Sequence, residues 1–417
     1  MIINTQNMRK MNWLFSLFLS MSIGATAQQT PLKNGAWRAA LTREDGNEIV
    51  FNLEIQQKKG KTLLYVVNGE EKLELKDVRF VKDSLFADMP VFESSFKLKT
   101  VGTDSLTGSW VKRGTAKDQV IPITASANLP YRFKAINGDA TEQAGGKWKI
   151  DFVRGDNHEP AVGTFVQNGN EVRGSILTAT GDYRFLAGTV TGNLLQVSTF
   201  DGVHAMVFRG KINNGVISEG ETISGRAPVG KWIATKDELA ALPEAKLTTV
   251  KEGSDGKLDF SFRDIDGKLV SIRDKRFQNK VVVIQLMGSW CPNCMDETAF
   301  MSEYYKKNKS RGIEMVGLAY EYTTDEERSR ASLRKFQKRF DVQYPLLISS
   351  ATVSDPERTQ KTLPQLTDIK VFPTTIILGK DGKVAEIETD FFGPGTGEYY
   401  TRYVEKFGKT IDELLKK

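Results

Sequence analysis

Only two cysteines occur in the 417 residues, and they stand three apart, as Cys291-Pro292-Asn293-Cys294. A chain of this length without disulfide staples must hold itself together by packing, and a lone pair at this spacing is chemistry rather than scaffold. Its context narrows the choice. Residues 281–297 read VVVIQLMGSWCPNCMDE: a β-branched run, a Gly-Ser bend, Trp290, and then a stretch that reads as a helix. The first thiol thereby falls at a helix start, where unpaired N–H groups and the helix dipole favour a thiolate. Pro292 suits the first turn, where a missing N–H is no loss. Two intervening residues let the sulfurs close a small ring, so the pair can cycle between dithiol and disulfide. A zinc site needs four ligands, and the chain adds only His158 and His204, both far upstream. No metal is expected.

The length calls for two or three domains. Residues 1–27 have the three parts of a secretory signal: Arg9 and Lys10, an apolar run over 13–23, and Ala25-Thr26-Ala27 as a small-x-small cleavage site. That run is short for a membrane span, and no later stretch approaches about 20 apolar residues. No cysteine follows it to carry a lipid. The mature chain is expected to be exported to the periplasm, with no stable membrane insertion after cleavage. Net charge is +6; losing residues 1–27 removes Arg9 and Lys10 and no acid, which leaves +4. With both signs interleaved throughout, no nucleic-acid partner is expected.

From 28 to about 242 the pattern is almost wholly β. Alternating or apolar runs at 48–57, 62–68, 96–101, 163–167, 183–190 and 205–209 are separated by Lys59-Gly60, Asn68-Gly69, Asn137-Gly138, Asn168-Gly169 and Asn214-Gly215. Small antiparallel barrels or a sandwich are expected. Gly-x-Trp recurs at Trp37, Trp110, Trp148 and Trp232, which points to two β-domains, over 28–135 and 136–245, with indoles in their cores. His158 reads as an exposed turn residue and His204 as a hairpin residue, both structural and neither with a partner cluster. A short connector helix is expected at 235–244.

From 246 to 417 strands alternate with helices. A hairpin turns at Asp266-Gly267, followed by a strand at 281–286, a helix at 292–308 and a strand at 313–319. A basic helix at 325–340, a short strand at 346–348, a hairpin over 374–387 and a closing helix at 397–415 complete an α/β layered domain.

WCPNC after a hydrophobic strand resembles the thioredoxin superfamily, and its surroundings resemble the TlpA/ResA-like thiol–disulfide oxidoreductases of bacterial envelopes. The resemblance runs from about Leu258 to the C-terminus and leaves the β half untouched. It implies a thioredoxin-like fold and an exported oxidoreductase, acting as a reductant, with no cofactor beyond a Cys291–Cys294 disulfide. Protein thiols and disulfides would be substrates, and a membrane electron donor would stand upstream. Cys291, the sulfur nearer solvent, would attack, and Cys294, more deeply buried, would resolve. Trp290 would shield the disulfide, and Trp290, Pro292, Phe372 and Pro373 would form the substrate rim, with Pro373 in the cis-proline loop.

Many relatives keep a buried Asp six residues before the first cysteine; here Gln285 stands there and cannot titrate. Glu297 occupies the place of a buried acid in ResA-like proteins, and at i+3 from Cys294 it shares a helix face with that sulfur. It completes the expected catalytic set as a proton relay with a raised pKa. Asp296 beside it reads as solvated. Phe372 and Met287 depart from the family pattern. Two other readings compete. A peroxiredoxin-like peroxidase would need Thr or Ser three residues before the nucleophile, where Gly288 stands. A non-enzymatic binding module with a thioredoxin-like docking domain would leave the CPNC set without a purpose.

Overall fold

The computed structural model describes residues 31–134, 138–243 and 247–417. The expected signal segment 1–27, the divisions at 135/136 and 245/246, and Asn137 of one expected turn lie outside the described residues. Among them no helix is long and apolar enough to cross a membrane.

The β half consists of two nine-stranded antiparallel sheets, each with its first strand lodged between its second and its last. In the first, Gly35–Thr42 pairs with Glu48–Lys58 on one side and Gln119–Ala127 on the other. In the second, Gly146–Arg154 pairs with Asn157–Asn168 and Gly230–Lys236. There Asn157–Asn168 also pairs with Glu171–Thr178, which closes the sheet into a barrel. Alternation does the work: along Glu48–Lys58, Phe51, Leu53 and Ile55 point inward and their neighbours outward. The opening strands share one device. The Trp37 indole N–H donates to the Lys33 carbonyl four residues back, and that of Trp148 to Ala144 in the same way.

The two sheets do not keep separate cores. Phe200, from strand Leu194–Phe200 of the second, stacks on Phe51 of the first at 4.2 Å and meets Trp110 edge-on at 5.2 Å. Asn68 ends strand Lys61–Asn68 at the expected turn, but fully buried, and its amide exchanges hydrogen bonds with the Phe200 backbone. Arg132, also buried, donates to Asn52, Asn68 and the Ser198 carbonyl.

Two local expectations give way to tertiary pairing. The connector helix expected at 235–244 does not form over its described residues, 235–243. Strand Gly230–Lys236 runs on instead, with the Lys236 N–H on the Gly215 carbonyl, and Asp237 then caps a turn at the Leu239 N–H. Sheet hydrogen bonds outweigh the weak helical propensity of so short a segment. His158 lies on strand Asn157–Asn168, paired with Asp151, and His204 is paired with Asp201, so each has a carboxylate partner that the sequence hid.

The C-terminal half is a five-stranded sheet in the order Leu346–Ile348, Ile313–Ala319, Val281–Met287, Thr374–Leu378, Val384–Glu388; the first three are parallel and the last two antiparallel. The central strand is buried on both faces, as an unbroken apolar run requires. Val281, Val283 and Met287 face helices α1 (Pro292–Asn308), α2 (Glu326–Phe340) and α4 (Glu398–Lys416). Val282, Ile284 and Leu286 face the 258–277 hairpin region and the residues after the short α3 (Arg358–Thr362). α4 buries Tyr403, Phe407, Ile411 and Leu414, a 3–4 residue stripe. Asp325 caps α2 by accepting from the Glu327 and Arg328 N–H groups. This is a thioredoxin-like layered domain.

Candidate active site

The strand Val281–Met287 delivers the chain to a bend at Gly288-Ser289, and α1 begins at Pro292. Cys291 is the N-cap residue: its Sγ accepts from the Cys294 N–H at 3.1 Å, one of the orphan donors of the first turn. The two sulfurs are joined in a disulfide. Phe372–Pro373 is cis, and the Phe372 carbonyl oxygen lies 3.5 Å from Cys291 Sγ. Trp290 roofs this corner. Its indole N–H donates to the Tyr320 carbonyl, and its ring meets Phe372 edge-on at 5.8 Å and Tyr322 at 5.0 Å. Trp290, Pro292, Phe372 and Pro373 are thus gathered with the cysteines at one end of the sheet, from segments 81 residues apart.

Beneath them lies Glu297, 1 % exposed. Its Oε1 accepts from Thr375 Oγ1 and the Tyr403 hydroxyl, each at 2.7 Å, and its Oε2 from Gln285 Nε2 at 2.8 Å. Burial pushes its carboxyl up, while the three donors oppose that by favouring the anion. The Gln285 amide also reaches the Cys294 carbonyl at 3.5 Å and accepts from Thr298 at 2.9 Å. Gln285 therefore bridges the acid and the backbone of the second cysteine.

The surroundings depart from the sequence reading in two respects. Cys291 is 3 % exposed and Cys294 0 %, so neither sulfur is open to solvent. Asp296 is not solvated but buried, with both oxygens on Arg184 of the second barrel at 2.7 and 2.9 Å. The β half is packed onto the first two turns of α1 through Asn293 and Asp296, and every residue from Pro292 to Thr298 is buried. Arg184, itself 2 % exposed, also donates to Glu71 at 2.5 Å and Asp201 at 3.4 Å. A second clasp joins Glu93 of the first sheet to Arg328 on α2, at 2.6 and 3.0 Å. The basic face of α2 thus meets an acid of its own chain. Beside the Glu93–Arg328 clasp a cleft of about 30 Å³ is lined by Phe92, Glu93, Trp290, Glu321, Tyr322 and Arg328.

Glu321 escaped the sequence reading. It follows strand Ile313–Ala319, the parallel neighbour of the motif strand, and strand ends of this kind are where polar site residues gather; that position was the available signal. Its carboxylate accepts from the Ser289 N–H at 2.8 Å and Ser289 Oγ at 2.7 Å, which pins the bend before Trp290. Burial pushes Glu321 up to about 7. Between the ordinary value and this one, the folded chain keeps a proton that the unfolded chain has lost, so stability falls as pH rises across about 4.5 to 7. Urea unfolding of Glu321→Gln should lack that part of the slope, worth about 3 kcal/mol over the window. Parallel pH profiles for the variant and the parent would refute the assignment.

The Redoxin family model matches residues 251–401. ResA, named a thiol-disulfide oxidoreductase, from Bacillus thuringiensis subsp. konkukian is 28% identical over 163 residues, covering 39% of this chain and 80% of the relative. ResA of Bacillus subtilis is 27% identical over 141 residues, covering 34% and 69%. Among solved structures, a thiol:disulfide interchange protein from Chlorobium tepidum TLS aligns with TM-score 0.30 and 20% identity, over 38% of this chain and 95% of that one. A putative protein disulfide isomerase from Bacteroides thetaiotaomicron aligns with TM-score 0.29 and 22% identity, over 40% and 94%. Residues 251–401 are a Redoxin domain, and the C-terminal part of the chain is homologous to the ResA thiol-disulfide oxidoreductases.

Proposed function

We propose that the chain is an exported thiol–disulfide oxidoreductase of the cell envelope that reduces protein disulfides. The observation that carries this reading is the closed Cys291–Cys294 pair at the start of α1, set against the Phe372–Pro373 loop and roofed by Trp290. In the reduced protein, the Cys291 thiolate attacks one sulfur of a substrate disulfide; a mixed disulfide forms and one substrate thiolate leaves. The Cys294 thiolate then attacks Cys291 Sγ, the Cys291–Cys294 bond closes, and the second substrate thiolate leaves. Two electrons pass to the substrate, and two protons complete its thiols. Glu297, oriented by its hydrogen bond from Gln285, accepts the Cys294 proton. Trp290, Pro292 and Phe372 form the rim that receives the substrate, and the cysteine pair is the whole redox apparatus, with no added cofactor. A membrane electron donor returns the pair to its reduced state. Residues 1–27 supply the export reading, and the periplasm is the expected compartment.

Trapping tests the nucleophile. Cys294→Ala incubated with an oxidised dithiol peptide should accumulate a covalent adduct on Cys291, cleaved by excess reductant, while Cys291→Ser forms none. A reduced Cys294→Ala protein that stays unmodified, or an adduct that survives in Cys291→Ser, would remove the basis for the reading.

A further inference from the structure

The 181–184 hairpin of the second barrel touches the CPNC motif itself. Gly181 has φ +133°, and a Cβ there would stand 2.5 Å from Asn293 Oδ1, so glycine alone lets the hairpin come this close. Asp182 Oδ2 accepts from Asn293 Nδ2 at 2.8 Å and from the Gly393 N–H at 2.7 Å, and its Oδ1 accepts from the Arg184 N–H at 2.6 Å. Asn293, between the two cysteines, is thus held by a buried carboxylate 111 positions away in the chain. Arg184 is in the left-handed backbone region at φ 54°, an uncommon state for a large residue, and its four side-chain contacts hold it there.

The charges around this contact are unbalanced. Glu71, Asp182, Asp201 and Asp296 stand about the single guanidinium of Arg184. His204 and Lys112 face Asp201, and Tyr400 faces Asp296. Burial pushes Asp182 up to about 6, which leaves it mainly ionised at pH 7. A helix N-terminus favours a thiolate, and negative charge buried beside its first turn works against that preference.

We infer that Asp182 is a positioning residue of the redox centre: through Asn293 it fixes the CPNC loop, and with the acids around Arg184 it holds the cysteine pair towards its disulfide form. The reducing strength of the pair is then supplied by the β half, and the site is incomplete without it. Reduction of the Cys291–Cys294 bond takes up two electrons and two protons to give two thiols; ionisation of one of them would stabilise the reduced form further, and the acidic surroundings disfavour that ionisation. A pair whose reduced form is less stabilised is the stronger reductant. The inference rests on the proposed redox role of the pair.

The test uses the full chain. Wild type and Asp182→Asn are equilibrated with mixtures of reduced and oxidised glutathione at pH 7, and the dithiol fraction is counted after denaturing alkylation. The equilibrium constant of Asp182→Asn should move about tenfold towards the dithiol, about 30 mV in potential. Its thiolate titration, followed by ultraviolet absorbance, should shift to lower pH. A contact with a structural role alone would lower the unfolding temperature and leave both quantities at the wild-type values, which would overturn the inference. Glu71→Gln removes one acid and keeps the Asp182 contacts, and carries the test if Asp182→Asn does not fold; a shift of the same sign is expected, and none would count against the cluster. Wild-type protein that fails to exchange with glutathione at all would instead overturn the oxidoreductase reading, a result distinct from an exchange that the variants leave unaltered.

Discussion

Replacing Arg184 with methionine is expected to destabilise the folded chain by about 3–5 kcal/mol at pH 7, as removal of one partner from a buried ion cluster does. Methionine has similar reach, so the loss is not a cavity effect. It comes from leaving Asp296, Glu71 and Asp201 facing one another in a desolvated space, without the guanidinium that donates to all three. Burial already pushes Glu71 up with Arg184 present, and Asp296 and Asp201 add to that push. Removing the cation extends it, so the penalty should shrink as pH falls and the carboxylates take up protons. Urea unfolding of the full chain at pH 7 and pH 5 measures both effects. A loss below about 1 kcal/mol at pH 7, equal at the two pH values, would mean that the cluster is solvated in practice. Because these partners come from the first sheet, the second barrel and α1, the variant should also loosen the contact between the β half and the redox half.

Glu297→Gln should slow turnover of a disulfide substrate by about 10²-fold, the lower end of what a positioned acid–base group contributes. Glutamine preserves the volume and can still accept from Thr375 and Tyr403, but it cannot carry a proton to or from Cys294. The defect should fall on the resolving step: mixed disulfide on Cys291 should build up in single-turnover mixing and decay slowly. The thiol titration should change as well, because a titrating carboxyl buried beneath the cysteines is replaced by a group that takes no charge. An unchanged rate together with an unchanged thiol titration would end the relay role and reduce Glu297 to a hydrogen-bond hub.

What could be read in advance follows physical range. Helix α1, strands Ile313–Ala319 and Thr374–Leu378, and the placing of Glu297 under the cysteines came from local signals: apolar runs, a proline at the first turn, an i+3 spacing. The hairpin expected at 374–387 formed one residue late at its second strand, Val384–Glu388, the usual scale of error at an element's end. The contacts between the halves were invisible. Asp296, Arg184, Asn68, Glu93 and Arg328 are ordinary surface residue types, and nothing in a neighbouring residue announces a partner more than 100 positions away. The depth at which Cys291 is buried is likewise a tertiary effect, since the Phe372 carbonyl against its sulfur comes from 81 positions along the chain.

That burial has a kinetic meaning. A sulfur that is 3 % exposed reacts only in the fraction of molecules whose covering elements have parted, so each measured rate is an intrinsic rate multiplied by an opening constant. Every increment of about 1.4 kcal/mol in the cost of parting lowers that product tenfold, whatever the nucleophilicity of the thiolate. Small alkylating reagents, peptides and folded proteins need openings of different width, so their relative rates at Cys291 would chart how widely the cover over this sulfur parts, and how often.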